Sequence, residues 1–332
     1  MSLDELIGAR LVLGFHGTEA TDELIARLRA LHAQNLIVFE RNFISPEQFT
    51  RFIRTLEAAL EHRLLVMVDH EGGRVIRFRS GVTRFPDASS QGRLHSVQAI
   101  EQQGATEAEE LKRLGVCLNL APCVDVRMQG ADPVIGDRSY GSDPSCVAQY
   151  GVARIQGLQT HGVGACAKHF PGLGAVQRDP HKVLPTIELD AGALDAVHLV
   201  PFRSALAAGV ASVMSSHVCY PRVDETPSVP ATFSPQLIQR LLRDTLQFSG
   251  LILTDDLEMG ALRQFGSMGE LAIRATEAGH DLLLICSDLS KAEEALPALH
   301  QAYRSARLST AALEASVERL RIFKQKFLTP SP

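Results

Sequence analysis

Charged and polar residues follow most of the short apolar runs in this sequence, and their side chains can do chemistry. Asp255 and Asp256 end one run, and Lys168 and His169 end another. The others that follow such runs are Asp69, Glu71, Arg74, Asp125, Arg138, His217, Ser287 and Asp288. Carboxylates, amines and imidazoles are the usual nucleophiles and acid/base groups of enzymes. If the runs end at one rim, that rim is a candidate active site.

A second arrangement lies in the segment 171–185, which is rich in glycine and proline and therefore neither helix nor strand. Asp179 and His181 stand two residues apart there, with Pro180 between them. A carboxylate at this distance can hydrogen-bond the imidazole, fix its tautomer and raise its basicity. The pair therefore predicts a general acid/base that works near neutral pH.

Structural roles remain open for several of these residues. Asp69 and Glu71 could cap a helix or pair with Arg74 and Arg77, and Asp179 with His181 could latch a loop. Alternation along a strand does not say which of Asp255 and Asp256 faces the active site. Structural roles are also open for Asp125, Lys168, His169 and His217.

Eight nearly continuous apolar runs alternate with longer amphipathic segments. This order is typical of parallel strands that are covered by helices on both faces. The runs are 11–15, 35–39, 64–68, 116–122, 163–170, 211–218, 251–255 and 281–287. Eight strands in strict alternation with helices favour a closed barrel over an open sheet. The predicted fold is α/β, a single (β/α)8 TIM-type barrel, in which catalytic groups come from the carboxyl ends of strands.

Helix starts and domain boundaries also follow from the sequence. Ser45-Pro46, Asp143-Pro144 and Ser234-Pro235 predict helix starts, and Ser290 with Glu293 predicts a capping box. An extra carboxyl-terminal helix over 310–328 has no strand after it, so we expect it on the barrel exterior. No linker rich in Pro, Gly or Ser divides the chain, which predicts one catalytic domain over 1–332.

Composition excludes several classes of function. The chain has 332 residues and a net charge of −5, which argues against a nucleic-acid or anionic-membrane surface. None of the six cysteines form a CxxC pair, and no zinc-type spacing appears. Such cysteine usage fits a reducing cytosol. The amino-terminal segment lacks the pattern of a signal peptide, and no apolar run is long enough for a membrane span. We therefore expect a cytoplasmic protein, and a monomer.

Five segments together resemble the bacterial β-N-acetylglucosaminidases (β-hexosaminidases) of glycoside hydrolase family 3. They are VDHEGGRVIRF (68–78), IGDRSY (135–140), AKHFPGLG (167–174), DPHKVLP (179–185) and LTDDLEMGA (253–261). They occur in the family's order over nearly the whole chain. The resemblance implies a retaining hydrolase that removes terminal β-linked N-acetylglucosamine (GlcNAc), with no metal or organic cofactor. The implied substrates are small muropeptides from peptidoglycan, which suggests cell-wall recycling.

The resemblance also implies a role for each matching residue. Asp255, the first aspartate of the DDL motif, matches the nucleophile that forms a covalent glycosyl-enzyme. His181 matches the acid/base on a mobile loop, and Asp179 matches its partner. The residues that match the family's sugar-binding side chains are Asp69, Arg77, Arg138, Lys168 and His169.

Three positions depart from the family's pattern. The family usually has histidine at position 173, serine at position 180 and often glutamine at position 70, whereas this chain has Leu173, Pro180 and His70. Leu173 removes a polar group from the loop that carries His181, and Pro180 stiffens it. Because gating loops often set turnover, the departures bear more on loop closure than on chemistry.

Three other functions compete with this interpretation. A histidine acid/base leaves the second step open to phosphate, which would make the protein a GlcNAc phosphorylase. Lys168 at a strand end could serve as the Schiff-base lysine of a barrel aldolase. Leu173 could mark a sugar-binding protein that has lost activity, although Asp255, Asp179 and His181 are all retained.

Overall fold

Parallel strands form the centre of the molecule. The computed structural model describes residues 1–94, 96–131 and 134–328, and eight strands lie within them. They are β1 (Leu11–Leu13), β2 (Asn35–Val38), β3 (Leu65–Val68), β4 (Leu118–Asn119), β5 (Gly164–Phe170), β6 (Ser212–Ser215), β7 (Leu251–Leu253) and β8 (Leu283–Ile285). Each falls within one of the eight apolar runs, so the predicted strands are confirmed.

The strands close into a barrel. Their order is β7-β6-β5-β4-β3-β2-β1-β8, with every neighbouring pair parallel. A parallel bridge between Leu253 and Leu282 joins the two ends, and the Thr254 N–H donates to the Leu282 carbonyl at 3.1 Å. The predicted (β/α)8 barrel is therefore confirmed, and all eight strands end at one rim.

Helices cover the outside of the strands. They are α1 (Leu3–Gly8), α2 (Asp22–Ala30), α3 (Pro46–Leu60), α4 (Ala88–Leu94), α5 (Val97–Arg113), α6 (Pro144–Thr160), α7 (Ala191–Ala193), α8 (Leu199–Ala207), α9 (Met268–Ala278), α10 (Leu289–Arg304) and α11 (Thr310–Phe327). Residues Leu194–His198 and Gln236–Thr245 form π-helical turns. Short 3-10 turns occur at Glu40–Asn42, Gly136–Arg138, Ala231–Phe233 and Gly260–Phe265. None of the described helices combines the length and the apolar character that a membrane span requires.

Most of the predicted helix starts are correct. Ser45 accepts from the Gln48 N–H at the start of α3, and Asp143 accepts from the Ser145 N–H at the start of α6. The capping box predicted at Ser290 is wrong. Asp288 is the N-cap of α10 and accepts from the Ser290 N–H at 2.9 Å, so Ser290 lies inside the helix. Because the Asp288 carboxylate caps the N–H of Ser290, the helix begins at Leu289 and Ser290 is already within its first turn.

The predicted extra helix, α11, is present. Its residues Leu320, Phe323 and Phe327 belong to the same buried cluster as the inward side chains of the strands. A Cβ built on Gly164 would come within 2.7 Å of the Phe323 ring, so the glycine leaves room for that ring at the start of β5. The helix therefore packs outside the strands as expected, and it does so across the amino-terminal end of the barrel, where it removes apolar surface from water.

Candidate active site

Alternation along the strands sends three charged side chains into the barrel mouth. Leu251 and Leu253 belong to the interior cluster, whereas Ile252 belongs to the outer one. Because successive side chains point to opposite faces, Asp255 continues the inward row and Asp256 does not. The same parity continues from Met67 to Asp69 on β3 and from Cys166 to Lys168 on β5.

Lys168 links two carboxylates in this mouth. Its ammonium lies 2.6 Å from Asp69 Oδ1 and 2.7 Å from Glu71 Oε1, and its side chain is 2% exposed. Burial alone would lower the pKa of Lys168, but the two carboxylates raise it above its usual value. A Schiff-base lysine must present a neutral amine. The pairing of Lys168 therefore argues against the aldolase.

Arg138 binds the other side of Glu71. Its guanidinium donates in bidentate fashion, from Nε to Oε2 at 2.8 Å and from Nη2 to Oε1 at 2.7 Å. Burial would raise the pKa of Glu71, but Arg138 and Lys168 hold it far below its usual value. Glu71 is therefore a buried anion that fixes Lys168 and Arg138, two of the predicted sugar-binding residues, in place.

His169 is oriented by Asp125. Arg138 Nη2 lies 3.3 Å from His169 Nε2, and an arginine can only donate, so Nε2 is the unprotonated nitrogen. The proton is then on Nδ1, which donates to Asp125 Oδ2 at 2.7 Å. The Cys123 thiol donates to the same carboxylate oxygen at 3.3 Å.

Among the residues that the structure describes, one group is spaced like metal ligands, and it consists of Cys123, Asp125 and His169. The hydrogen bonds explain their closeness, because a metal on Nδ1 would put a proton on Nε2 against Arg138.

Arg77 lies at the outer edge of the mouth. Its guanidinium is 3.6 Å from Asp69 Oδ2 and lies over the Phe39 ring, 5.4 Å from the ring centroid. A cation above an aromatic face is held in position and still has N–H groups to donate. Asp69, Arg77, Arg138, Lys168 and His169, the five predicted sugar-binding residues, thus form one connected network.

Asp255 presents an ionised carboxylate beside this network. The backbone N–H of Asp256 donates to Asp255 Oδ1 at 2.8 Å. Burial would raise the pKa of Asp255, but His217, His169, that N–H group and Lys168 together lower it below its usual value. An ionised carboxylate is the state that a nucleophile requires.

Asp256 and His217 hold the backbone around Asp255. Asp256 Oδ1 accepts from the N–H groups of Glu258 at 3.0 Å and Cys286 at 3.3 Å. Burial raises the pKa of Asp256 to about 7, and the negative charges of Glu258 and Asp255 add to this effect. His217 Nε2 donates to the Asp256 carbonyl at 2.9 Å, and its Nδ1 lies 2.6 Å from the Thr232 hydroxyl. Both ring nitrogens are engaged, which supports the interpretation of His217 as a satisfied buried histidine.

The predicted pair of Asp179 and His181 is present. His181 Nδ1 lies 2.7 Å from Asp179 Oδ1, which also accepts from the His181 N–H at 2.9 Å. The His181 side chain is 61% exposed. Since Nδ1 is engaged, Nε2 is the nitrogen that can exchange protons with a ligand.

The loop that carries this pair rests on the segment that follows Asp255. The N–H groups of Gly260 and Ala261 donate to the carbonyls of His181 and Pro180, each at 3.2 Å. A Cβ on Gly260 would come within 2.5 Å of the His181 carbonyl oxygen, so glycine permits this close approach. The charges of Asp255 and His181 shift the pKa of His217 in opposite directions. Asp255 and His181 therefore lie on the same side of the mouth.

The structure accommodates the three departures from the family's pattern. Leu173 is buried, and its N–H donates to Asp125 Oδ1 at 2.6 Å, so the loop is fixed at its base through the backbone. Pro180 contributes its carbonyl to Ala261, a bond for which no side chain is needed. His70 Nδ1 accepts from the Arg77 N–H at 3.3 Å, and its ring stacks near Phe78. His70 therefore has a structural role.

Two positioning residues were only partly recognised in the sequence. For Glu71 the sequence leaves open a helix cap or a pair with Arg74 and Arg77, and the structure shows that it binds Lys168 and Arg138. For Asp125 the sequence leaves a structural role open, and the structure shows that it orients His169, a predicted sugar-binding residue. The available signal was that both follow an apolar strand at the predicted rim.

We predict that Glu71→Gln lowers the free energy of unfolding by about 3–5 kcal/mol, because buried Arg138 loses its carboxylate partner and Lys168 keeps only Asp69. The folded-state pKa of Glu71 lies below its usual value of 4.5, so the stabilisation is complete above pH 4.5 and is lost as the pH falls further. Chemical unfolding between pH 3 and 7 measures both effects. Glu40→Gln, which removes a carboxylate from an exposed pair with Arg79, is the control and should change little. Equal stability of Glu71→Gln and wild type at pH 7 would contradict the prediction.

A separate groove lies at the opposite end of the barrel from these residues. It has a volume of about 590 Å³, and its walls include Arg203, Phe248 and Ile322. Among the described residues that line it there is no Asp, Glu, His or Cys. It therefore offers no carboxylate nucleophile and no carboxyl or imidazole acid/base, and we place the chemistry at the carboxyl ends of the strands.

Comparison with known proteins shows the family of this chain. Residues 3–322 match the family described as the glycosyl hydrolase family 3 N-terminal domain. A β-hexosaminidase of Methylobacillus flagellatus is 36% identical over 90% of this chain and 87% of its own length. NagZ from Neisseria gonorrhoeae, solved in complex with N-trifluoroacetyl-D-glucosamine, is 32% identical, with a TM-score of 0.80 over 93% of this chain and 96% of its own.

A further solved structure extends beyond this fold. The family 3 β-N-acetylglucosaminidase from Paenibacillus sp. str. FPU-7 is 36% identical, with a TM-score of 0.96 over 100% of this chain. This chain spans only 64% of that protein. Two findings decide the assignment. The family model matches nearly the whole sequence, and this chain covers most of the length of the Methylobacillus and Neisseria relatives. The chain belongs to glycosyl hydrolase family 3 and is a β-hexosaminidase.

Proposed function

We propose that the protein is a retaining exo-β-N-acetylglucosaminidase that removes terminal β-linked GlcNAc from muropeptides released from peptidoglycan. The observation that carries the proposal is the placement of an ionised Asp255 beside a network of sugar-binding cations, with the His181 loop tied to the segment that follows it. The gonococcal relative was solved with a derivative of glucosamine, which supports the same sugar.

The proposed reaction has two displacements. In the first, an Asp255 oxygen bonds to the anomeric carbon while the bond to the leaving oxygen breaks, and protonated His181 gives that oxygen its proton from Nε2. In the second, neutral His181 takes a proton from water, whose oxygen attacks the anomeric carbon and releases Asp255. Asp179 stays hydrogen-bonded to Nδ1 throughout and stabilises the imidazolium that is present before the first displacement and forms again in the second.

The terminal sugar is held by groups that also neutralise one another. Lys168 donates to sugar hydroxyls, whereas Asp69 and the unprotonated Nε2 of His169 accept from them. Arg77 and Arg138 reach the outer hydroxyl or the N-acetyl side. Since Asp69 and Glu71 are each paired with a cation, the carboxylate of Asp255 is not opposed by an unpaired negative charge in the mouth.

The proposal includes the setting of the enzyme. The steps above use only side chains and water, so they call for no metal or organic cofactor. The six cysteines are free thiols, five of them buried, which supports action in the reducing cytoplasm. We place the whole activity in one barrel domain.

The test is hydrolysis of an aryl β-GlcNAc compared with the matched aryl β-glucoside. We expect kcat/KM for the GlcNAc substrate to be higher on the order of 10²-fold, because a site built for the N-acetyl group is left with unpaired polar atoms when it is missing. Product analysis in phosphate buffer should give GlcNAc, whereas GlcNAc-1-phosphate would identify a phosphorylase. Cleavage of neither substrate would overturn the proposal.

A further inference from the structure

A cleft of about 560 Å³ opens beside the acid/base. His181 and Lys182 line one wall, and Arg74 and Asp137 line the other. None of Asp69, Lys168, His169 and Asp255 lines it. Since His181 must reach the leaving oxygen, a cleft that contains His181 and excludes the sugar-binding residues lies on the side of the leaving group.

Several charged side chains that line this cleft are paired with one another. Arg74 Nε donates to Asp137 Oδ1 at 2.7 Å, which neutralises the far wall. Asp179 is engaged by His181 through two hydrogen bonds. Lys182 is exposed, and no carboxylate of residues 1–94, 96–131 and 134–328 forms an ion pair with it. An incoming anion therefore finds one ammonium group available in this cleft.

A tight turn fixes Lys182 relative to the acid/base. The Asp179 carbonyl accepts from the N–H groups of Lys182 at 3.0 Å and Val183 at 3.2 Å. The Asp179 carboxylate meanwhile accepts from the backbone and ring of His181. The backbones of His181 and Lys182 are consequently held in one turn, so both side chains extend from the same fixed segment of the loop.

The charge of the leaving sugar determines whether it can form an ion pair with the Lys182 ammonium. Some leaving sugars carry a carboxyalkyl ether on the ring carbon adjacent to the one that bears the glycosidic oxygen. In such a sugar the acid lies close to the oxygen that His181 protonates. The acid is an anion when it is free, and it is neutral when an amide links it to a peptide. We propose that Lys182 favours leaving sugars with a free carboxylate at this position, so that the peptide-free acidic disaccharide is cleaved faster than the peptide-linked muropeptides that share its sugars. This inference rests on the proposed function.

The experiment compares three disaccharides that share a terminal β-GlcNAc: one with a muramic-type free acid, its methylamide and neutral chitobiose. We expect kcat/KM for the free acid to exceed that for the methylamide by about two- to fivefold at low salt, the range of an exposed ion pair. The ratio should fall towards one in 0.5 M NaCl, because salt screens exposed charges.

Variants assign the preference to Lys182. Lys182→Met should bring the ratio of free acid to methylamide close to one, Lys182→Glu should invert it, and Lys182→Arg should keep most of it. Arg178→Met removes the same charge from the same loop, but Arg178 does not line the cleft, so this control should keep the wild-type ratio.

The outcomes separate this inference from the proposed function. A wild-type ratio of one, or the same ratio in wild type and Lys182→Met, would overturn the inference while cleavage of chitobiose leaves the proposed function intact. If none of the three disaccharides is cleaved, both fail. A preference that disappears equally in Arg178→Met would show a diffuse charge effect and would also overturn the role of Lys182.

Discussion

Replacing Asp255 with alanine is expected to lower kcat/KM on an aryl β-GlcNAc by at least about 10⁴-fold, because the covalent route is lost and only binding and acid catalysis remain. The side chain points into the barrel mouth, and its pKa lies below the usual value, so the wild-type group is an anion throughout the neutral range. No other described carboxylate in the mouth can replace it, because Asp69 and Glu71 are held by Lys168.

The measurement has a chemical readout besides the rate. Azide added to Asp255→Ala should occupy the vacated space and attack the anomeric carbon, which gives the α-glycosyl azide. The matched control is Asp256→Asn. Asparagine keeps the oxygen that accepts from Glu258 and Cys286, so activity should stay within about tenfold of wild type. Full activity in Asp255→Ala, or a larger loss in Asp256→Asn than in Asp255→Ala, would contradict the assignment.

The barrel could be predicted because its information is local. Each strand is a short apolar run, and most helix starts carry a cap that acts within three residues, as at Ser45 and Asp143. The order of runs and amphipathic segments then allows few topologies. Where a local cap had a competitor nearby, as at Asp288 and Ser290, the prediction failed by two residues.

Features that depend on distant partners could not be predicted in this way. Glu71 is 67 residues from Arg138 and 97 from Lys168, and nothing near Glu71 indicates either partner. The choice between Asp255 and Asp256 needed the inward parity of β7, which only the packed barrel fixes. The docking of α11 under the barrel is of the same kind, since an amphipathic helix does not specify which apolar surface it will cover.

The charges of the mouth explain why a histidine suits the second catalytic role. Lys168 and Arg138 balance Asp69 and Glu71, so Asp255 is the carboxylate whose charge remains for chemistry. A second catalytic carboxylate beside it would raise the pKa of one of the two. An imidazole avoids this repulsion, and placing it on a loop tied to Gly260 brings it near without burying it.

We expect His181→Ala to lower kcat/KM on a GlcNAc disaccharide by about 10²–10⁴-fold, the usual range for general acid catalysis. The loss on an aryl glycoside with a good leaving group should be much smaller, because that oxygen departs without a proton. The substrates must be compared by kcat/KM, because kcat/KM reports the first displacement, whereas kcat also includes attack by water. Asp179→Asn should show the same pattern with a smaller loss, because the ring keeps a hydrogen-bond partner but loses the charge that stabilises the imidazolium.

The control for His181 is His62→Ala, which removes an exposed histidine from the turn before β3, at the other end of the barrel, and should leave both substrates unaffected. Equal losses of His181→Ala on the disaccharide and the aryl glycoside would contradict an acid role, because a residue that only shapes the loop would impair both alike.

The same comparison of disaccharide and aryl glycoside also measures the effect of Pro180. If a rigid loop holds His181 in place, Pro180→Ser should slow the disaccharide more than the aryl glycoside, since only the disaccharide depends on where the proton is delivered.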